Sequence, residues 1–130
     1  MKIEIILDGN NFSSLAEFYD EIQNKLTKNL GWEIGRNFDA YNDVLRGGFG
    51  VYEYEEPFNL LWKNSEKSKR YLGYPETIKY LEKKLETCHP TNISFVKKDL
   101  QEAKKGNGKT LFEILVDMIH EHKHIDLKLE

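Results

Sequence analysis

The sequence GWEIGRNFDAYNDVLRGGFG, residues 31–50, predicts a short helix held between two glycine clusters. Asn37 is a good N-cap because its side chain can accept a hydrogen bond from a backbone N–H of the first turn. Glycines follow Leu45, and glycine readily adopts the left-handed conformation that ends a helix. Asp39 and Asp43 stand four residues apart, so their carboxylates share one face about a turn apart. The stretch therefore predicts a capped helix that carries two acidic side chains side by side.

Length, charge and cysteine content restrict the class of protein. A chain of 130 residues suits one domain, which we expect to span residues 1–130. Its net charge of −3 argues against a nucleic-acid-binding protein and fits one that meets a basic partner. Cys88 is the single cysteine, which suits a reducing cytosol. The first apolar run ends at Asp8 and no run reaches the length of a membrane span, so we expect a cytoplasmic protein without a signal peptide or membrane contact.

Strands separated by helices predict an α/β fold with a parallel sheet. The first strand, residues 2–7, is a continuous apolar run, and we expect it to be buried on both faces. Two further strands are predicted at residues 58–62 and 125–129. Helical patterns lie between them, at about residues 15–29, 37–46, 65–71, 75–87, 91–105 and 110–123.

The pair Asp39 and Asp43 has three interpretations: a solvated helix face, an acidic face that binds a partner, or catalytic carboxylates as in glycoside hydrolysis. The surrounding charge favours the second. Residues 33–56 contain six acidic and two basic side chains, a local net charge of −4. Such a patch speeds association with a cationic partner.

Aromatic side chains flank this acidic stretch. Trp32, Tyr41 and Phe49 are of the type that contributes strongly to protein interfaces, although each could instead pack inside. We expect Phe38 and Val44 in the core. We also expect at least one of Trp32 and Phe49 to be exposed.

Other patterns give weaker alternatives. His120 and His124 are spaced to chelate a metal ion on a helix, but a helix end stabilised by cations explains them better. The glycines after Arg46 follow a helix, whereas phosphate-binding loops precede one. The lysines near residues 97–109 are interpreted as a solvated face. The sequence thus predicts no metal site, no cofactor and no catalytic cysteine.

The segment Gly35 to Leu45, GRNFDAYNDVL, resembles the G-x-N-L-D-A-L-x-D-x-L signature of the barstar family of ribonuclease inhibitors. Residues 3–30, 58–69 and 110–129 resemble the family's other elements in the same order. The resemblance implies a small three-stranded parallel sheet with helices packed around it. Residues 71–108 then look like a helical insertion.

The resemblance also implies a function and a set of contact residues. The family inhibits a secreted ribonuclease by occupying its basic phosphate site, and Asp39 and Asp43 look like the two key aspartates. Asp117 looks like an acidic contact of the last helix. The other expected contact positions are Gly35, Trp32, Glu33, Asn37, Asn42, Arg46 and Phe49.

The aromatic contacts of the signature differ in this chain. Glu33 and Asn42 stand where the type member has a tyrosine and a tryptophan, and a second tryptophan is replaced near Phe49. These differences predict a similar binding mode with a different cognate enzyme. The leading hypothesis is a cytoplasmic immunity-type inhibitor, monomeric when free, that binds a basic ribonuclease toxin. The alternatives are a non-catalytic binding module for another basic protein and a carboxylate-pair hydrolase.

Overall fold

The computed structural model describes residues 2–130, which form a three-stranded parallel sheet and six α-helices. The strands are β1 (Ile3–Asp8), β2 (Phe58–Lys63) and β3 (Ile125–Leu129). The helices are α1 (Leu15–Leu26), α2 (Phe38–Arg46), α3 (Ser65–Tyr71), α4 (Tyr74–Thr87), α5 (Ile93–Lys104) and α6 (Leu111–His120). The predicted α/β class, the parallel sheet and the order of elements are confirmed.

The sheet places β2 between β1 and β3, parallel to both. Leu7, Trp62 and Leu129 lie side by side across the three strands. Leu7 and Trp62 are fully buried in the main core, where Phe18 of α1 stacks against the Trp62 ring with ring centroids 5.5 Å apart. The main core therefore joins the central strand to the first helix.

The prediction that β1 is buried on both faces is wrong. Ile5 and Leu7 point into the core, but Glu4 is exposed and Ile6 is only half-buried. The same alternation continues on β2, where Leu60 is buried and Leu61 is half-buried. One face of this small sheet carries the core and the other is partly open, so apolar content alone overestimated the burial.

Two helices end earlier than the sequence predicts. After α1, Thr27 donates its side-chain hydroxyl to the Gln23 carbonyl and pairs with Gly50 in an isolated antiparallel bridge. After α6, the chain leaves the helix beyond His120, and the side chains of His122 and His124 contact α2 instead. In both places a long-range contact competes with another helical turn.

The segment predicted as a helical insertion consists of α4 and α5, which pack against each other as a hairpin. Their shared cluster contains Leu81, Val96, Leu100 and Ala103. Tyr80 packs against the main core, and two hydrogen bonds also join the hairpin to the rest: Thr77 Oγ1 accepts from Leu111 N at 2.9 Å, and Glu76 Oε2 accepts from Leu15 N at 2.7 Å. The helical character of residues 71–108 is therefore confirmed.

Candidate functional site

The start of α2 is fixed by polar contacts that the sequence signals. Asn37 Oδ1 accepts from Ala40 N at 2.8 Å, as expected for an N-cap. Ahead of it, Ile34 is buried, and its N–H donates to Gln23 Oε1 of α1 at 3.0 Å. Gly35 lies so close to this cap that an added Cβ would sit 2.9 Å from Asn37 Nδ2. Gly35 and Asn37 thus set where the helix begins.

The buried face of α2 fixes the helix against the core. Tyr41, Val44 and Leu45 are almost fully buried. Tyr41 donates its hydroxyl to the Leu115 carbonyl of α6 at 3.0 Å. Burial raises the pKa of Tyr41 well above its ordinary value, so its hydroxyl stays protonated and able to donate. Val44 is in the core as predicted.

Several groups from outside α2 satisfy the carbonyls at its C-terminal end. Tyr52 places its hydroxyl 2.7 Å from the Val44 carbonyl oxygen, and His124 Nε2 donates to the Leu45 carbonyl at 2.9 Å. Gly47, at φ +101°, donates its N–H to Val44 as well. A Cβ at Gly47 would sit 2.5 Å from the Glu53 carbonyl oxygen, so the turn requires glycine.

His122 makes a further contact, in which its Nε2 lies 2.7 Å from Asn42 Oδ1. Burial lowers the pKa of His122, and the neighbouring His124 and Arg46 lower it further. The ring is therefore neutral at physiological pH. The helix-dipole interpretation fits His120, which lies in the last turn of α6, but not His124, which follows the helix and contacts α2.

The opposite face of α2 presents the two aspartates to solvent. Asp39 is exposed and borders a groove between α2 and α4. The Asp43 side chain is 63% exposed, and its Oδ1 lies 3.1 Å from Nη1 of Arg46. Arg36 turns away from this face, because it pairs with Asp20 of α1 and donates to the Ala16 carbonyl. Arg36 therefore pairs with neither carboxylate of α2, and Arg46 pairs only with Asp43.

The loop after α2 continues the acidic surface. Glu53 and Glu55 are exposed there, and Tyr54 between them is 64% exposed. The loop is tied to the helix end, since the Glu55 N–H donates to the Arg46 carbonyl at 2.6 Å. Sequence reasoning did not single out Tyr54, although an aromatic residue inside the acidic run EYEE was a usable signal.

The aromatic residues around the patch divide between surface and core. Trp32 is 57% exposed and meets the half-buried Phe49 edge-on, with ring centroids 6.4 Å apart. The prediction that at least one of these two is exposed is confirmed. Phe38 is only half-buried and lies against Tyr80 of α4, so its predicted place in the core is partly wrong.

The remaining predicted contact positions lie on different elements. Glu33 is exposed beside Trp32. Asn42 is half-buried and uses its side-chain oxygen toward His122. Asp117 lies on α6 and forms an ion pair with Lys109, whose pKa it raises. Asp117 therefore already has a partner within the chain.

No group of three or more histidine, cysteine, aspartate or glutamate side chains within residues 2–130 is arranged to hold a metal ion. Over the same residues, no helix has both the length and the apolar character needed to cross a bilayer. Cys88 is a half-buried free thiol at the end of α4.

The structure is that of a small α/β protein with an exposed acidic helix face, and the comparisons with known proteins identify its family. The sequence model of the family described as Barstar (barnase inhibitor) matches residues 3–105. The chain therefore belongs to the barstar family. It is also similar to the "Putative ribonuclease inhibitor YrdF" of Bacillus subtilis (strain 168), with 34% identity over 70 residues, which is 54% of this chain and 69% of that protein.

Proposed function

We propose that this protein inhibits a basic ribonuclease by placing Asp39 and Asp43 in the enzyme's phosphate-binding site. The observation that supports this most directly is a helix fixed at both ends and along one face, with both carboxylates on its exposed side. Membership of a family of inhibitors points the same way. The protein performs no chemistry itself.

The physical basis is substitution of carboxylates for substrate phosphates. Arginine and histidine side chains that bind a phosphate form charge-assisted hydrogen bonds equally well with a carboxylate. Because α2 is already held by Tyr52, His124 and the core, little conformational freedom is lost when it binds. The acidic patch of residues 33–56 accelerates the encounter with a basic enzyme.

Arg46 has a defined part in this interaction. It holds Asp43 in the free protein through an exposed ion pair, which costs little to break. On binding, cationic groups of the enzyme replace Arg46 around the Asp43 carboxylate. Gly35 and Asn37 act by fixing the start of the helix.

The aromatic side chains around the acidic face influence which ribonuclease the protein binds. Trp32, Phe49 and Tyr54 border the acidic face and supply apolar area around the charged contact. Their positions differ from those of the family signature, and we infer a cognate ribonuclease different from barnase. We further infer an immunity role in the cytoplasm, where the inhibitor protects the cell from a secreted or delivered ribonuclease toxin.

The experiment compares the wild-type protein with the Asp39→Ala/Asp43→Ala double variant. Both are immobilised and exposed to secreted and cell extracts of the source organism at low and high salt. We expect the wild type alone to retain a basic protein that cleaves RNA and to silence its activity. A matched control, Glu82→Ala/Glu86→Ala, removes two exposed acidic residues of α4 and should behave as wild type.

Three results would overturn the proposal. Equal retention of the ribonuclease by the wild type and the double variant would move the binding surface away from α2. Retention of a basic partner without RNA-cleaving activity would instead support a binding module for another class of protein. RNA cleavage by the inhibitor itself, lost in the double variant, would indicate a hydrolase.

A further inference from the structure

A groove of about 670 Å³ runs between α1, the start of α2 and α4. Its floor is apolar and aromatic, formed by Leu15, Tyr19, Phe38 and Tyr80. The Phe38 and Tyr80 rings pack at a centroid distance of 5.3 Å, so the floor joins α2 to the hairpin. Asp39 lies on the same wall as Phe38, and the groove is thus continuous with the acidic face of α2.

The far side of the groove carries positive charge. Lys79, Lys83 and Lys84 of α4 line it and are exposed. None of the three forms a salt bridge within the described residues 2–130. Glu76 is the acidic residue of α4 that lines the groove, and it already accepts a hydrogen bond from Leu15 N at the start of α1.

The groove therefore has an apolar floor, a basic side and an acidic edge at Asp39. Lys84 places its Nζ 5.7 Å from the centroid of the Tyr80 ring, which shows that the floor and the basic side are in contact. An acidic polypeptide segment with one aromatic side chain matches this arrangement, because its carboxylates meet the lysines while its ring covers the floor.

We propose that this groove binds an acidic, aromatic-containing segment of the same ribonuclease whose basic site meets Asp39 and Asp43. The inference rests on the proposed function and extends the contact surface onto the α4–α5 hairpin. The partner then has an acidic segment beside its basic active site. Contact with both the acidic face of α2 and the groove favours enzymes whose basic site and acidic segment lie at a matching separation.

The first test uses short synthetic peptides and the isotopically labelled full chain, observed by NMR. The probe is a blocked hexapeptide containing three glutamates and one tyrosine, at millimolar concentration. We expect its addition to shift the amide signals of Asn37, Lys79, Tyr80 and Lys83. The same peptide with lysines in place of the glutamates should leave them unchanged.

The second test measures ribonuclease inhibition by a charge-reversed variant, Lys79→Glu/Lys83→Glu. We expect the inhibition constant to rise about tenfold, because the acidic segment then meets like charges in the groove, and to approach that of wild type at high salt. The matched control is Lys97→Glu/Lys98→Glu on α5, which changes the net charge equally on exposed residues outside the groove. Lys79→Ala/Lys83→Ala gives a milder version of the same test, and urea unfolding checks that every variant folds.

The outcomes separate this inference from the proposed function. Equal effects of the two charge-reversed variants, or signals unmoved by the acidic peptide, would overturn the groove assignment even if inhibition depends on Asp43. An RNA hexamer that shifts the same signals more strongly than the acidic peptide would also overturn it. If the Asp39→Ala/Asp43→Ala variant inhibits as well as wild type, the proposed function fails regardless of the groove.

Discussion

The two faces of α2 differ in what they contact. Tyr41, Val44 and Leu45 are buried against the core and against α6, whereas Asp39 and Asp43 extend into solvent. The first face determines where the helix lies. The second makes few contacts within the chain, so its side chains are free to bind a partner. Stability and binding should therefore respond to different substitutions on the same nine-residue helix.

The largest expected effect lies on the exposed face. Asp43→Ala should weaken binding to the cognate ribonuclease by about 3–5 kcal/mol, because it leaves buried cations of the enzyme unpaired. The free energy of unfolding should change by less than about 0.5 kcal/mol, since the variant loses only an exposed ion pair. Titration calorimetry and urea unfolding measure the two quantities. A comparable loss in both would contradict the separation of the faces.

The buried face should show the reverse pattern. Leu45→Ala removes a fully buried side chain, and we expect it to lower the free energy of unfolding by about 3 kcal/mol. Binding by the fraction that remains folded should stay close to wild type, because the carboxylates are retained. Urea unfolding followed by inhibition assays under fully folded conditions checks this. A large loss of affinity with unchanged stability would be incompatible with it.

A substitution that loosens the C-terminal end of α2 should lower both stability and affinity, but by less than the two substitutions above. Tyr52→Phe removes the hydroxyl that contacts the Val44 carbonyl, and we expect a loss of about 1 kcal/mol in the free energy of unfolding. Affinity should fall slightly, since the last turn that carries Asp43 becomes less ordered. Tyr71→Phe is the control, because that side chain is exposed and lies on α3, outside the acidic face. Hydrogen exchange of the α2 amides would reveal whether fraying is confined to this end.

The smallest expected effect is a dependence of stability on pH through His122. Burial lowers the pKa of His122 below its ordinary 6.5, with His124 and Arg46 adding to the effect and Glu121 and Glu55 opposing it. The unfolded chain therefore binds more protons than the folded protein below about pH 6.5. The resulting contribution to stability is complete above that pH and is lost as pH falls through the folded-state pKa.

His122→Gln tests this sign. The variant keeps a side chain that can donate to Asn42 but does not titrate. We expect its free energy of unfolding to fall less than that of wild type between about pH 7 and pH 5. His89→Gln is the control at an exposed histidine in the α4–α5 connection. A steeper decrease in His122→Gln would show that the assigned direction is wrong.

The sequence predicts those features of the candidate site that depend on interactions between residues close together in the chain. The Asn37 cap, the glycine turn at Gly47 and the spacing of Asp39 and Asp43 act within a few residues of one another. The burial of Val44 follows from the same helical periodicity. For this reason, the bounds of α2 agree with the prediction to within one residue.

Long-range contacts explain what the sequence did not reveal. His122 and His124 contact α2 from about eighty residues away, and no local pattern indicates that pairing. The groove depends on α4 lying beside the start of α2, which only the folded chain establishes. Partial burial of the sheet likewise depends on which face the helices cover.

The cap at the end of α2 also has a consequence for protein engineering. Asn42 is committed to His122, and Tyr52 is committed to the helix carbonyls, so neither position is open to diversification. Trp32, Asp39 and Tyr54 do not hold the end of α2 in place, and their side chains are exposed. A combinatorial library restricted to these three positions would retain the scaffold while exchanging its target.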